Sequence, residues 1–193
     1  MFSDAALPRV LSQLDQRPKT LSRPATFLAQ VIVVAAGVFA MALLAQLSVR
    51  LPWTPIPITG QTFGVSLMAL LYGRRLGIIT MASYILIGAL GAPVFAAGQA
   101  LVLAPAVGYL AGMVLSAAVI GFLADRGYTK TFKQSFIASL IGSACVFSMG
   151  LLVLSAFIPF NQLLIAGLLP FIPGDLVKSA LASLISTSVR NRL

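Results

Sequence analysis

Histidine is absent from the 193 residues, cysteine occurs once (Cys145), and only four residues are acidic. A lone thiol cannot form a disulfide within the chain, and without imidazole the usual zinc ligand sets have no members. No metal site is expected. Charge of either sign is scarce: charged residues make up 9% of the chain, against about a quarter in soluble domains. No "GxxxxGK[ST]" loop occurs, so any ATP dependence must come from another subunit. The N-terminal stretch 1–26 holds two acids and three prolines and no apolar run of signal-peptide length; it is expected to stay on the protein as a polar cytoplasmic arm.

What is present is hydrocarbon. Apolar residues fill 59% of the positions, and the mean hydropathy is +1.01. An all-α integral membrane protein follows, with one membrane domain over 27–193. Six transmembrane helices are expected, from about Phe27 to Val49, Gln61 to Tyr72, Leu76 to Leu90, Ala106 to Ala124, Gln134 to Phe157, and Pro173 to Val189. Cys145 falls in the fifth, in apolar surroundings, and reads as core.

The net charge of +9 raises nucleic acid as a partner, but the positions of the basic residues argue against it. Arg9, Arg17, Lys19 and Arg23 precede the first span. Arg74 and Arg75 follow the second, Arg126, Lys130 and Lys133 the fourth, and Arg190 and Arg192 the sixth. Six spans place all eleven of these on one side, and the positive-inside rule puts both termini in the cytoplasm of a bacterial inner membrane. The opposite loops carry only Arg50. They are "RLPWTPIPITG" (Arg50–Gly60), "GAPVFAAGQALVLAP" (Gly91–Pro105) and "IPFNQLLIAGLLPFIP" (Ile158–Pro173), too apolar for solvated linkers. They are expected to pack onto the bundle and roof a ligand site. Trp53 also suits an interfacial anchor.

Lys178, the thirteenth basic residue, lies in none of these loops. In "FIPGDLVKSALASLI" (Phe171–Ile185), Pro173 suits the first turn of a helix. Asp175 then lies near the positive end of the helix dipole, and Lys178 shares its face three residues on. Ionisable residues inside a membrane mark functional sites by default. A capping aspartate and a snorkelling lysine would produce the same spacing. Together the two offer acceptors and donors to a ureido, amide or carboxylate group. Thr59, Gln61 and Thr62 at the start of the second span, Gln99, Tyr84, Tyr109, Gln46 and Asn161 are further polar candidates. Gln61 and Thr62 could equally serve as helix caps.

The blocks "PIPITGQTFGVSLMALLYGRRLG", "YILIGALGAPVFA", "GYLAGMVLSAAVIGFLADR" and "PGDLVKSALA" resemble the BioY family, the biotin-specific substrate-binding (S) components of energy-coupling-factor transporters. The resemblance runs from about Ala35 to Ala182. It implies six helices around a biotin site near the outer face, covered by the loops after spans one and three. By that likeness Asp175 and Lys178, matching the family's "PGDxxK", meet the vitamin, and Thr59, Gln61, Tyr109 and Gln99 join them. Pro57, Ile58, Thr59, Gln61 and Thr62 match the family's "PITxQT". Gly108, Tyr109, Leu110 and Gly112 keep part of its "GPTGGYLxGF", whereas "FAAGQALVL" just before departs from it. The resemblance also implies a transmembrane coupling protein and two ATPase subunits as partners, docked through small residues of the first span. Ala36 and Ala40, or Ala25 and Ala29, have the four-residue spacing for close helix approach, a spacing that ordinary packing inside the bundle equally explains. A self-sufficient facilitator or proton-coupled carrier of biotin or a related vitamin is the alternative, supported by Asp175. An intramembrane enzyme has no paired acids or metal cluster to work with, and a purely structural role leaves the charged pair without a purpose.

Overall fold

The computed structural model describes residue 5, residues 23–99 and residues 105–192. Most of the expected arm at 1–26, and residues 100–104 of the second roof loop, lie outside the described residues. The described chain forms six α-helices: α1 (Arg23–Gln46), α2 (Gln61–Ala89), α3 (Val107–Asp125), α4 (Phe132–Leu154), α5 (Phe160–Gly167) and α6 (Ile172–Arg192). By length and composition, α1, α3 and α4 are each apolar and long enough to cross a membrane, as is α2 counted over both sides of Gly73, and α5 with α6 form a pair bent by 41° that qualifies together.

Helix α2 is a hairpin. Gln61 Nε2 lies 2.8 Å from the hydroxyl of Tyr84, 23 positions on; an unbroken helix would hold them about 35 Å apart at 1.5 Å per residue. The reversal occurs at Gly73, with φ 74° and ψ −175°. That conformation suits glycine, and a Cβ there would also run into the Asp125 carboxylate. Asp125, at the end of α3, accepts the Arg74 backbone N–H at 3.1 Å. It thereby caps the start of the second arm, where the helix dipole favours a carboxylate. The stretches expected as the second and third spans, 61–72 and 76–90, fall on the two arms of α2, 61–72 and 74–89.

Small residues set the spacing of the next pair. A Cβ on Gly112 of α3 would sit 2.7 Å from the Val146 Cα of α4, so the two backbones approach as closely as membrane helices with small contact residues do. Helix α4 starts with a capping box: Thr131 Oγ1 accepts from Gln134 N–H, and Gln134 Oε1 accepts from Thr131 N–H. The box starts the helix at Phe132, two residues before the expected span. Helix α1 lies on the flank, leaving Phe27, Val31, Ile32, Phe39 and Leu43 exposed as a face suited to hydrocarbon.

Three expectations about connections change. The first helix ends at Gln46, not Val49. Ser48–Val49 instead forms strand β1, paired antiparallel with β2 (Ile58–Thr59). The β-branched Val49, Ile58 and Thr59 suit a short ribbon, which folds residues 50–57 back over the bundle. The third apolar loop, Ile158–Pro173, contains helix α5.

Candidate functional site

At one end of the bundle a cavity of about 160 Å³ opens where the starts of α2, α3 and α6 meet the β-ribbon loop and the loop at 91–99. Thr59, Gln61, Gln99, Tyr109, Asp175 and Lys178, all named from the sequence as ligand contacts, line this one cavity, with Thr62. Phe95, Met113, Val146, Phe147 and Phe171 make its apolar wall. A larger groove of about 570 Å³ runs between α1 and the second arm of α2, but it lacks such convergence of polar groups.

The charged residues are arranged differently from the direct pairing that their spacing suggests. Lys178 Nζ donates to the Thr59 carbonyl at 2.8 Å and to Thr62 Oγ1 at 3.1 Å. Asp175 is 5% exposed, with the hydroxyls of Ser143 and Thr62 beside its carboxyl group. Among the described residues the two form no direct ion pair; Thr62 stands between them. A threonine hydroxyl can donate to the carboxylate while accepting from the ammonium. Lys178 has three N–H donors and uses two, so one remains for a ligand.

Hydrogen bonding continues from this cluster to the roof. Thr59 Oγ1 donates to Gln61 Oε1 at 2.9 Å. Gln61 Nε2 donates to the Tyr84 hydroxyl, which donates to the Val94 carbonyl at 3.0 Å. Gln61 is buried, and this series of bonds satisfies it without removing its second amide hydrogen. Thr59 and Gln61 come together because β2 feeds directly into α2, where Thr59 Oγ1 also takes the Gln61 N–H at 3.2 Å.

Tyr109 contributes a ring rather than a hydroxyl. Its O–H donates to the Gly167 carbonyl of α5 at 2.7 Å. The ring packs beside Phe171, with centroids 6.3 Å apart, in space left by the missing side chain of Gly150. Gln99 is exposed at the cavity mouth. Gln46, Asn161 and Cys145 do not line the cavity. Ala36 is exposed on α1, whereas Ala40 is half-buried and packs against the core; the side chain of Ala25 lies outside the described residues.

Ser143 and the aromatic wall were not singled out from the sequence. A signal for Ser143 existed: Ser135, Ser139 and Ser143 recur every four residues in α4, and all three are buried. They mark one face of an otherwise apolar helix. Phe147 and Phe171 gave no such signal among twelve phenylalanines.

The site therefore joins a compact set of donors and acceptors to an aromatic and aliphatic wall, an arrangement for a small ligand with a polar head and an apolar body. Comparison with known proteins gives the chain a lineage. The sequence model described as "BioY family" matches residues 16–193. The chain belongs to the BioY family. The biotin transporter BioY of Thermotoga maritima is 32% identical over 162 residues, covering 82% of this chain and 95% of that protein. A probable biotin transporter BioY of Pyrococcus horikoshii is 36% identical over 160 residues, 81% of this chain and 93% of its own length. Among solved structures, the S-component for biotin from an ECF-type ABC transporter superposes with a TM-score of 0.80 at 25% identity, covering 89% of this chain and 95% of that one. As in other members of this family, the machinery is that of a transporter component and not of an enzyme.

Proposed function

We infer that this chain binds biotin in the cavity above Asp175 and Lys178 and takes it across the cell membrane as the substrate-binding subunit of an energy-coupling-factor transporter. One observation carries the reading: in a fold shared with a biotin S-component over 89% of the chain, Asp175 and Lys178 line one cavity together with Thr59, Gln61, Gln99 and Tyr109. The fused-ring head of biotin presents a ureido group with two N–H donors and one carbonyl acceptor. Asp175 accepts from the ureido N–H groups, and the remaining Lys178 N–H donates to its carbonyl. Phe171, Phe147 and Tyr109 pack against the sulfur ring and the aliphatic chain, and Gln99 at the mouth meets the carboxylate end.

The two arms of α2, together with α1, α3, α4 and α6, give six crossings, with both termini in the cytoplasm. In support, Arg74 and Arg126 flank Phe122 at 5.8 and 4.2 Å, and Arg190 reaches Thr129 at 3.1 Å, all at the end opposite Lys178. That asymmetry follows the positive-inside rule. The cavity then faces outward. A transmembrane coupling protein and two ATPases complete the transporter; ATP is hydrolysed on those subunits, and the exposed Ala36 on α1 belongs to the docking face.

Uptake in cells tests this. A biotin-auxotrophic bacterium lacking its own transporter, given this chain with a coupling protein and ATPases from the family, should grow on trace biotin and accumulate radiolabelled biotin. Accumulation no higher than in the empty-vector strain, with the chain present in the membrane, would overturn the reading.

A further inference from the structure

Helix α1 ends at Gln46, and the side chain of this residue reaches across to the second roof loop. Its Nε2 donates to the Phe95 carbonyl at 3.2 Å, 49 positions along the chain, and to the Ala42 carbonyl of its own helix at 3.2 Å. Its Oε1 accepts the Gly98 N–H at 3.0 Å. One amide thus grips the loop on both sides of Ala96 and Ala97. The gripped segment is a tight turn, with Phe95 N–H donating to the Gln99 carbonyl at 3.0 Å. Within it Ala97 at φ 57° and Gly98 at φ 67° occupy the left-handed region, which alanine adopts rarely and holds only when its surroundings impose it.

The turn bears directly on the cavity. Phe95 and Gln99 line it, and Gln46 does not. The Phe95 ring stands edge-on to Tyr84 at 5.1 Å, over Gly88, where any Cβ would collide with it. Ligand entering from the roof side must displace this segment or pass beside it. The contacts from Tyr84 and Gly88 come from α2, and the two from Gln46 come from α1.

We propose that Gln46 is a positioning residue that latches the 94–99 turn over the ligand cavity, so that the end of α1 sets how fast ligand enters and leaves. This rests on the assignment of the cavity as the biotin site. Both bonds leave one side chain, so displacing α1 by a few ångströms breaks them together and frees the turn from its tie to α1. Movement of α1 is thereby transmitted to the roof without any change in the cluster at Asp175 and Lys178. The local bond to Ala42 is the competing role, a simple closure of the helix end. That role predicts lower stability with unchanged ligand kinetics.

The experiment compares the full-length parent, Gln46→Leu and Gln46→Glu in detergent. Gln46→Leu keeps the bulk and loses both bonds, and Gln46→Glu keeps the acceptor for the Gly98 N–H. Stopped-flow binding of biotin should show association and dissociation both faster by about tenfold in Gln46→Leu, with Kd changed less than threefold, because a latch present in both free and bound states alters passage more than affinity. Gln46→Glu should fall between it and the parent. Hydrogen exchange of 92–99 in the ligand-free protein should quicken in the same order, which tests the latch even if the parent does not bind biotin. Parental rate constants and parental exchange in both variants, with or without a lowered Tm, would overturn the proposal. Loss of biotin binding by the parent itself would instead overturn the function on which it rests.

Discussion

Asp125 and Asp175 occupy opposite ends of the same bundle and use the same carboxylate in different ways. Asp125 accepts a backbone N–H, that of Arg74, and closes a hairpin whose reversal at Gly73 leaves no room for a side chain. Asp175 has hydroxyls beside it, those of Ser143 and Thr62, and lines a cavity. A backbone donor is fixed by the fold, so the carboxylate that takes it is committed to structure. A hydroxyl can rotate and change partners, so the carboxylate it serves stays available to a ligand. The two acids therefore differ in burial, Asp175 buried and Asp125 half-buried, and in the kind of donor beside them.

The largest expected effect is at the cavity end. Asp175→Asn and Lys178→Met should each weaken biotin binding by at least about tenfold, ~1.4 kcal/mol, because each leaves donors or acceptors in a dry site without a partner. Equilibrium binding in detergent, with gel filtration to confirm the folded state, measures this. Normal affinity in both variants would reduce the pair to a helix cap and a snorkelling lysine.

Thr62→Val probes the link between the two charges. It removes the acceptor of Lys178 and a donor to Asp175 while keeping the shape. A loss of about 1 kcal/mol, or roughly fivefold in Kd, is expected for a hydrogen bond of this kind. Unchanged affinity would mean that the charges act independently of the threonine.

At the opposite end the same chemistry should register as stability. Asp125→Asn weakens a charge-assisted cap at a helix start, a change of about 1 kcal/mol. For a chain of this length that lowers Tm by roughly 2–4 °C, with Kd for biotin unaltered. The smallest effect is expected at Trp53, which is 61% exposed and does not line the cavity. Trp53→Phe should change Kd by less than about twofold, ~0.4 kcal/mol; a larger change would place the tip of the ribbon loop on the ligand.

Much of this organisation is legible in the residues. Apolar runs marked the helices, and the rarity of charge made Asp175 and Lys178 conspicuous within one. The positions of Thr59, Gln61, Gln99 and Tyr109 at one end of the bundle followed from counting spans. What was not legible depended on side-chain direction. Spacing put Lys178 on the face of Asp175, but the Thr59 carbonyl that it meets belongs to a strand 119 positions away. The β-ribbon could not be foreseen from two-residue strands among prolines. Nor did α5 stand out from an apolar stretch interrupted by Pro159, Gly167 and Pro170. Gln46 looked like one polar residue among several until Phe95 and Gly98 were found on either side of its amide. Asp125 drew no attention because a carboxylate after a helix, among arginines, has the composition of any cytoplasmic loop.

Isothermal titration of biotin into the purified parent, Asp175→Asn and Asp125→Asn, side by side in the same detergent, tests the central claim most directly. The account predicts saturable binding by the parent, the same Kd for folded Asp125→Asn, and a Kd at least about tenfold higher for Asp175→Asn. No saturable heat from the folded parent, or equal affinities in the two variants, would contradict it.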